Sequence, residues 1–339
     1  MKKVLISLAA VMVLLAAGCT PKNQAAGGSA GPRGASDLKI VLILPGPIND
    51  QSWNATNYAG LVKSNASLGT KMEYIENVQA PDYESTFRNY AERGYDLILA
   101  AGTQFDEAAN KVAPSYPKTV FCVVNGMISN GANVAPIFPR EYEASYLAAL
   151  IAGEVTKNGQ FATIGGFPND AMEKLLDVYE KVSVDIAKGR GISGAKAVRA
   201  YANSWDDVSL GKQMAETMIN NGADTLFVYA NQVGLGSIQG AREKGAKFIG
   251  FSGDQTVIAP ETVVGSVIFD FETFYVWAVQ KYIDGTLDGN TVHEAGLKEK
   301  IFVPVYTPAI PQNVKDNVEA GVQKAVSGGI DLTALFAKK

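Results

Sequence analysis

The stretch DLILAAGTQFDEAANKVAPSYPKTVFCVV, residues 96–124, decides the fold. It begins with an apolar run that ends at Gly102, continues as a helical stretch over 105–113, and returns to an apolar run at 119–124. Continuous apolar runs are typical of strands that are buried on both faces, as in parallel sheets covered by helices. The stretch therefore predicts a β-α-β unit in which Cys122 is a buried, unreactive thiol.

The same alternation extends outward, from the apolar run at 39–44 to the one at 247–251. A chain of 339 residues is long enough for two domains. We therefore predict an α/β protein with two lobes, each a mostly parallel sheet flanked by helices. Residues 38–145 and 255–290 are assigned to lobe 1, and residues 146–254 and 291–339 to lobe 2.

The first 18 residues have the form of an export signal. Two lysines precede an apolar run over 4–17, which is shorter than the ~20 residues of a membrane span and typical of a signal peptide. The sequence LAAGC, residues 15–19, is similar to a bacterial lipobox and predicts a lipid anchor on Cys19; an ordinary secretory signal with a chance cysteine is the alternative. Residues 19–37, rich in Gly, Ala, Ser and Pro, predict a flexible tether that holds the protein on the outer side of the cell membrane.

Composition argues against several classes of protein. The net charge of −4 and the scattered Lys and Arg residues disfavour nucleic-acid binding. The single histidine, His293, is expected at the surface, and the metal or nucleotide motifs HExxH, CxxC and GxxxxGK[ST] do not occur. The glycine-rich sequence VGLGSIQG, residues 233–240, departs from GxGxxG and predicts tight strand-to-helix packing. Asp206 is expected to cap a helix and not to act as a catalytic carboxylate. Together, these observations predict no enzyme activity, cofactor or metal.

The candidate binding residues lie in loops that follow predicted strands. In parallel-sheet proteins, ligands bind outside the carboxyl ends of the strands. Trp53 and Trp205 fall in such loops and offer ring faces for a flat heterocycle, although each has an alternative role as a packing residue at the edge of the core. The other residues of these loops that could contact a ligand are Asn49, Asp50, Phe105, Asn125, Asn231 and Asp254. Asp254 has an alternative role in stabilising a turn.

Two longer segments carry a family resemblance. NDQSWN, residues 49–54, and EYEASYLAALIAG, residues 141–153, resemble motifs of the basic-membrane-protein family of purine-nucleoside-receptor-like lipoproteins. SWDD at 204–207, VGLG at 233–236 and GDQ at 253–255 follow in the family's order, and the resemblance covers nearly all of residues 38–306. It implies a type I periplasmic-binding-protein fold and a lipid-anchored receptor that delivers a small molecule to the permease and ATPase of an ABC-type importer.

Departures from the family's pattern bear on the ligand. Positions at which the family carries acids hold Pro45, Asn125 and Ser252, a common Lys is replaced by Phe269, and a stacking Phe is replaced by Trp53. A lost hydrogen-bond partner in a buried site costs ~1–3 kcal/mol, so a pocket with fewer charges and more aromatic area suits a larger neutral ring with a polyol. One branch of the family is associated with riboflavin uptake. We therefore expect riboflavin first, a purine nucleoside second, and a surface receptor without a transport role as a third reading.

Overall fold

A computed structural model describes residues 34–50 and 53–337. The predicted signal peptide, Cys19 and most of the predicted tether lie outside the described residues. None of the described helices is both long and apolar enough to cross a bilayer.

Two six-stranded sheets organise the described chain. The first is parallel throughout, in the order β2-β1-β3-β4-β5-β11. Its strands are β1 (Ile40–Ile43), β2 (Glu73–Ile75), β3 (Leu97–Ala101), β4 (Val120–Val124), β5 (Ile137–Pro139) and β11 (His293–Ala295). The helices that pack with it are α1 (Trp53–Leu68), α2 (Tyr83–Glu92), α3 (Asp106–Val112) and α8 (Phe271–Ile283).

The second sheet repeats this order as β7-β6-β8-β9-β10-β12, with only its edge strand β12 antiparallel to its neighbour. Its strands are β6 (Gln160–Gly165), β7 (Lys196–Tyr201), β8 (Thr225–Tyr229), β9 (Lys247–Ser252), β10 (Val263–Phe269) and β12 (Phe302–Tyr306). The helices that pack with it are α4 (Glu141–Val155), α5 (Asp170–Gly189), α6 (Val208–Asn220), α7 (Asn231–Lys244) and α9 (Gln312–Val326). The predicted α/β class with two mostly parallel sheets is confirmed.

Both faces of the sheets are buried, as the continuous apolar runs predicted. In β1, Ile40 and Leu42 point into the cluster that includes α1 and α8, whereas Val41 and Ile43 point into the cluster that includes α2 and α3. All four side chains are fully buried. Successive side chains of a strand face opposite sides, so only a strand covered on both sides needs an apolar residue at every position.

The chain passes between the sheets three times among the described residues, after β5, after β10 and after β11. This differs from the lobe boundaries expected from the sequence. The first passage ends at Arg140, before the expected boundary at residue 145. β10, which was assigned to lobe 1, pairs with β9 inside the second sheet. β11, which was assigned to lobe 2, pairs with β5 inside the first sheet. Because β5 and β11 have three residues each, they carry too little pattern to be assigned to a sheet from the sequence.

These three passages are bound to one another. The backbone N–H of Arg140 donates to Ala295 O at 2.8 Å, and that of Asp270 donates to Ile301 O at 2.8 Å. The Arg140 guanidinium pairs with Glu143 and, at 3.0 Å, with Glu299, and all three side chains are less than 20% exposed. Removing one partner of a buried ion pair costs ~3–5 kcal/mol, so this cluster holds the first and third passages together.

Three residues singled out from the sequence have distinct outcomes. Cys122 is fully buried in β4, and burial raises the pKa of its thiol, as expected for an unreactive cysteine. His293 is only 8% exposed, so the expected surface position is wrong; it lies in β11, with its Nε2 2.7 Å from Asp288 O. The helix after Trp205 begins at Val208, so its cap is Asp207 and not Asp206.

The glycine-rich segment 233–240 lies within α7 and packs against α6. The expected tight packing is therefore between two helices, and not between a strand and a helix. A Cβ on Gly236 would collide with the carbonyl oxygen of Val208, and one on Gly211 with that of Val233. Ser237 Oγ donates to Gly211 O at 3.0 Å across the same contact. The glycines let two helix backbones touch.

We predict that Gly236→Ala destabilises the protein by about 1–3 kcal/mol, because the new methyl group must push α6 away from α7. Gly234→Ala is the matched control on the same helix, since its Cβ would meet only Val228 at 3.9 Å. That substitution should be neutral or stabilising by up to ~1 kcal/mol through helix propensity. Urea unfolding of both variants measures the difference, and equal stabilities would contradict the packing.

Candidate functional site

In each sheet there is one strand from which the chain first continues to the neighbouring strand on one side and then to the neighbouring strand on the other side. The chain goes from β1 to β2 on one side and then to β3 on the other, and from β6 to β7 and then to β8. Ligands of such sheets bind outside the carboxyl ends of the strands at this switch point. Two of the passages between the sheets leave from the carboxyl ends of β5 and β10. Both switch points therefore open toward one region, which we call the cleft.

Trp53 lies at the switch point of the first sheet. It is the first residue of α1, and its Nε1 donates a hydrogen bond to Ala101 O, at the end of β3, at 3.0 Å. The indole also meets the Phe271 ring edge to face, with centroids 5.5 Å apart. The side chain is only partly buried, so part of the indole remains open to a ligand.

Trp205 lies at the switch point of the second sheet. Its indole packs directly on Gly166, which follows β6, and a Cβ on that glycine would collide with the ring. Its backbone carbonyl accepts from Gln232 N, after β8, at 2.9 Å. The ring centroid is 5.6 Å from that of Phe167, which is 39% exposed. Each indole is thus held by its own lobe at the point where that sheet can bind a ligand.

Phe269 ends β10 and joins an aromatic cluster at the second passage. Its ring lies 4.1 Å from that of Phe271 and 5.0 Å from that of Phe302. Phe271 in turn contacts Trp53. Packing therefore connects the indole of the first lobe to the passage between the lobes.

Asn125 and Ser252 occupy equivalent positions, at the ends of β4 and β9. Both have left-handed backbones, with φ of 61° and 76°. This conformation is uncommon for residues other than glycine and is often found at functional sites. Asn125 Oδ1 is buried and has no hydrogen-bond partner among the described residues, whereas Ser252 is exposed.

For four other predicted residues, the contacts of the side chain do not indicate a role in ligand binding. Asp50 accepts hydrogen bonds from the backbone N–H groups of Asn54 and Ala55 at 2.9 Å, so it caps the start of α1. Asp254 accepts from Thr256 N at 3.0 Å, which favours its alternative role as a turn residue. The remaining two are exposed: Asn49 lies in the loop after β1, and Asn231 is the first residue of α7.

Phe105 is fully buried, which contradicts its predicted role in ligand binding. Its ring packs against those of Tyr83, at 4.1 Å, and Phe87, at 6.0 Å. The short 3-10 turn after Gly102 directs this side chain into the layer between the sheet and α2. A position in a strand-end loop is therefore not enough to place a side chain in the cleft.

Sequence reasoning missed one pair of residues, Glu141 and Tyr229. Glu141 is the first residue of α4, one position after the first passage, and Tyr229 is the last residue of β8. The Tyr229 hydroxyl donates to the Glu141 carboxylate, and burial raises the pKa of Glu141 to about 7. The rule that directed attention to strand ends could have found Tyr229, whereas nothing in the sequence indicated that Glu141 would be partly shielded from water.

The carboxyl ends of the two sheets carry one indole from each lobe, the Asn125 amide and the Glu141 carboxyl group. Aromatic faces bind flat rings, and a few polar groups fix their orientation. Within the described residues, no cluster of three His, Cys, Asp or Glu side chains could hold a metal ion. The arrangement suits the reversible binding of a flat heterocycle with a hydrogen-bonding edge.

Comparisons with known proteins show the family to which the chain belongs. The family described as Bmp, ABC transporter substrate-binding protein PnrA-like, matches residues 37–334. The chain is 29% identical to the ABC transporter nucleoside-binding protein BmpA of Lactococcus lactis subsp. cremoris, over 70% of this chain and 66% of that protein, just under two thirds of its length. It is 26% identical to basic membrane protein B of Borrelia garinii subsp. bavariensis, over 79% of this chain and 81% of the relative.

A solved structure shows the same fold. The chain matches an ABC transporter solute-binding protein from Aeropyrum pernix K1 with a TM-score of 0.64 at 20% sequence identity, over 87% of this chain and 92% of that one. The predicted two-lobed binding-protein fold is confirmed.

We predict that Glu141 makes stability decrease as pH rises. Its folded-state pKa of about 7 lies above the ordinary value of 4.5, so the folded state binds the proton more tightly. This contribution is complete below pH 4.5 and is lost by about pH 7. Urea unfolding between pH 4.5 and 8 should show wild type losing stability relative to Glu141→Gln. Parallel curves for the two proteins would contradict the burial of the carboxyl group.

Proposed function

Because the chain belongs to the Bmp family of PnrA-like substrate-binding proteins of ABC transporters, we propose that it captures a purine nucleoside in the cleft and releases it unchanged to an importer. The family consists of substrate-binding proteins and not of enzymes. Membership implies an extracytoplasmic protein, a small-molecule ligand, and permease and ATPase partners.

The position of the two indoles carries the proposal. Trp53 and Trp205 come from different lobes, and each lies at the switch point of its own sheet. A flat ring between them would contact both lobes at once, so its binding would favour the closed arrangement of the lobes. Asn125 supports the same reading, because its buried Oδ1 can accept a hydrogen bond from the ligand.

A nucleoside now ranks ahead of riboflavin. The Lactococcus relative is described as nucleoside-binding, whereas the preference for riboflavin rested on aromatic area and on lost charges. Glu141 also weakens that preference, because it supplies a carboxyl group that the sequence reading did not include. Riboflavin remains the competing ligand in the test below.

We predict that the full chain, purified in a mild detergent, binds inosine or guanosine more tightly than riboflavin in isothermal titration. Trp205→Ala should weaken nucleoside binding about 5- to 150-fold, since stacking of a base on an aromatic ring is worth ~1–3 kcal/mol. Trp277→Ala is the control, because this third tryptophan lies in α8 and stacks on Phe274.

Tight riboflavin binding with no response to nucleosides would reverse the ranking of ligands. If the Trp205 and Trp277 substitutions changed nucleoside affinity equally, Trp205 would not be a ligand-stacking residue. Either result would leave the family assignment unchanged, since that assignment rests on the match over residues 37–334.

We also propose that Cys19 is lipidated and anchors the protein to the membrane. Metabolic labelling with palmitate in a bacterial host should label the wild-type chain, whereas Cys19→Ala should lose the label and move to the soluble fraction. Removal of the acyl chains would abolish binding to the membrane, because each CH₂ group buried in the bilayer contributes ~0.8 kcal/mol. An unlabelled wild-type chain would favour the alternative of an ordinary secretory signal.

A further inference from the structure

We propose that Asp106 is a positioning residue of the binding site: its buried carboxylate holds the turn after β4 and thereby keeps Asn125 in the conformation that meets the ligand. The inference rests on the proposed nucleoside-binding function, in which Asn125 accepts a hydrogen bond from the ligand. It deepens that function by naming the group that fixes the orientation of Asn125.

Asp106 is a carboxylate in an unfavourable environment. It is the first residue of α3 and is only 6% exposed. One of its oxygens, Oδ1, is buried without a hydrogen-bond partner among the described residues. Burial raises the pKa of this carboxyl group, so keeping the group ionised at neutral pH costs folding free energy. Unsatisfied buried polar groups are rare in native proteins, and this one requires an explanation.

The other carboxylate oxygen holds the turn that follows β4. Asp106 Oδ2 accepts a hydrogen bond from the Met127 N–H at 3.0 Å. One helical turn further along α3, Asn110 Nδ2 donates to Ile128 O at 3.0 Å. Two side chains of α3 thus bind consecutive residues of this turn, just after Asn125.

Gly126 makes room for the carboxylate. A Cβ at this position would lie 2.6 Å from Asp106 Oδ1 and 2.6 Å from Val123 Cβ. The backbone of Gly126 does not lie in the left-handed region, so this close approach explains the glycine and its φ does not. The carboxylate therefore packs directly against the backbone of the turn.

The turn holds Asn125 in a left-handed conformation, with φ of 61°. Residues other than glycine keep this conformation only where their surroundings stabilise it. On the strand side, the Asn125 N–H donates to Ile137 O at 2.8 Å. On the other side, the tie is the bond from Met127 to Asp106. The direction in which the Asn125 amide points therefore depends on Asp106.

The second lobe holds the corresponding turn without a buried charge. Ser252, at the equivalent end of β9, is also left-handed, with φ of 76°. There, Ser266 Oγ donates to Gly253 O at 2.7 Å, so a neutral side chain is sufficient to hold such a turn. A charged acceptor forms a stronger hydrogen bond than a neutral one. The buried carboxylate of the first lobe therefore suits a turn that must stay fixed while Asn125 binds a ligand.

The test is a double-mutant cycle, measured by isothermal titration of the full chain in detergent with inosine. Asn125→Ala should weaken binding about 5- to 150-fold, because a ligand group then loses its partner in a buried site. Asp106→Ala should weaken it about 5- to 30-fold, because the freed turn lets Asn125 leave the left-handed conformation. In the double variant, the Asp106 substitution should have no further effect, because no Asn125 amide remains to be positioned.

Further variants separate positioning from stability. Asp106→Asn should restore nearly the wild-type affinity, since its amide oxygen can accept from Met127. Asp106→Leu fills the same space without an acceptor; it should lose affinity as alanine does, and it replaces alanine in the cycle if that variant does not fold. The control is Asp224→Ala, because Asp224 accepts from the backbone of Lys157 at 2.7 Å but lies before β8, at the opposite end of the strands. It should lower stability in urea unfolding and leave inosine affinity unchanged.

The outcomes distinguish this inference from the proposed function. An Asp106 substitution that leaves affinity unchanged, or that weakens binding equally with and without the Asn125 side chain, would overturn the inference while nucleoside binding stands. Unchanged affinity in Asn125→Ala would also overturn it. Absence of inosine binding by the wild-type chain would contradict the proposed function, and the inference with it.

Discussion

The three hydrogen-bonded passages between the sheets are the constraint on which the rest of the structure depends. They leave the carboxyl ends of β5, β10 and β11, and backbone bonds at Arg140 and Asp270, together with the cluster around Arg140, tie them together. Loops at the carboxyl ends of parallel strands would otherwise face solvent in two separate directions. Because the passages sit at those ends, the two sets of loops face one cleft.

The proposed binding site follows from the position at which the strand order of each sheet reverses. Trp53 and Trp205 lie at equivalent switch points, and each is fixed by a contact within its own lobe. Closure of the lobes can therefore bring two preformed aromatic surfaces together without rebuilding either one. The contact of Trp53 with Phe271, and of Phe271 with Phe269, connects one of these surfaces to the second passage between the lobes.

Much of the fold could be predicted because burial on both faces leaves a clear pattern in the sequence. The runs at 39–44, 96–100 and 119–124 became central strands of the first sheet. The lobe boundaries could not be predicted, since three-residue strands such as β11 have no periodicity and take their sheet from tertiary contacts. The strand-end rule indicated Asn125 and both indoles, and their role in ligand binding stays a prediction. It was wrong for Phe105, which a 3-10 turn directs into the core, and it did not reach Glu141, which begins a helix and does not end a strand.

The central claim is that one flat ligand is held between the two lobes at their switch points. A crystal structure of the protein grown with inosine tests this most directly. The account predicts electron density for the purine ring between the indoles of Trp53 and Trp205. Density for inosine on an outer face of one lobe, with neither indole in contact, would contradict it.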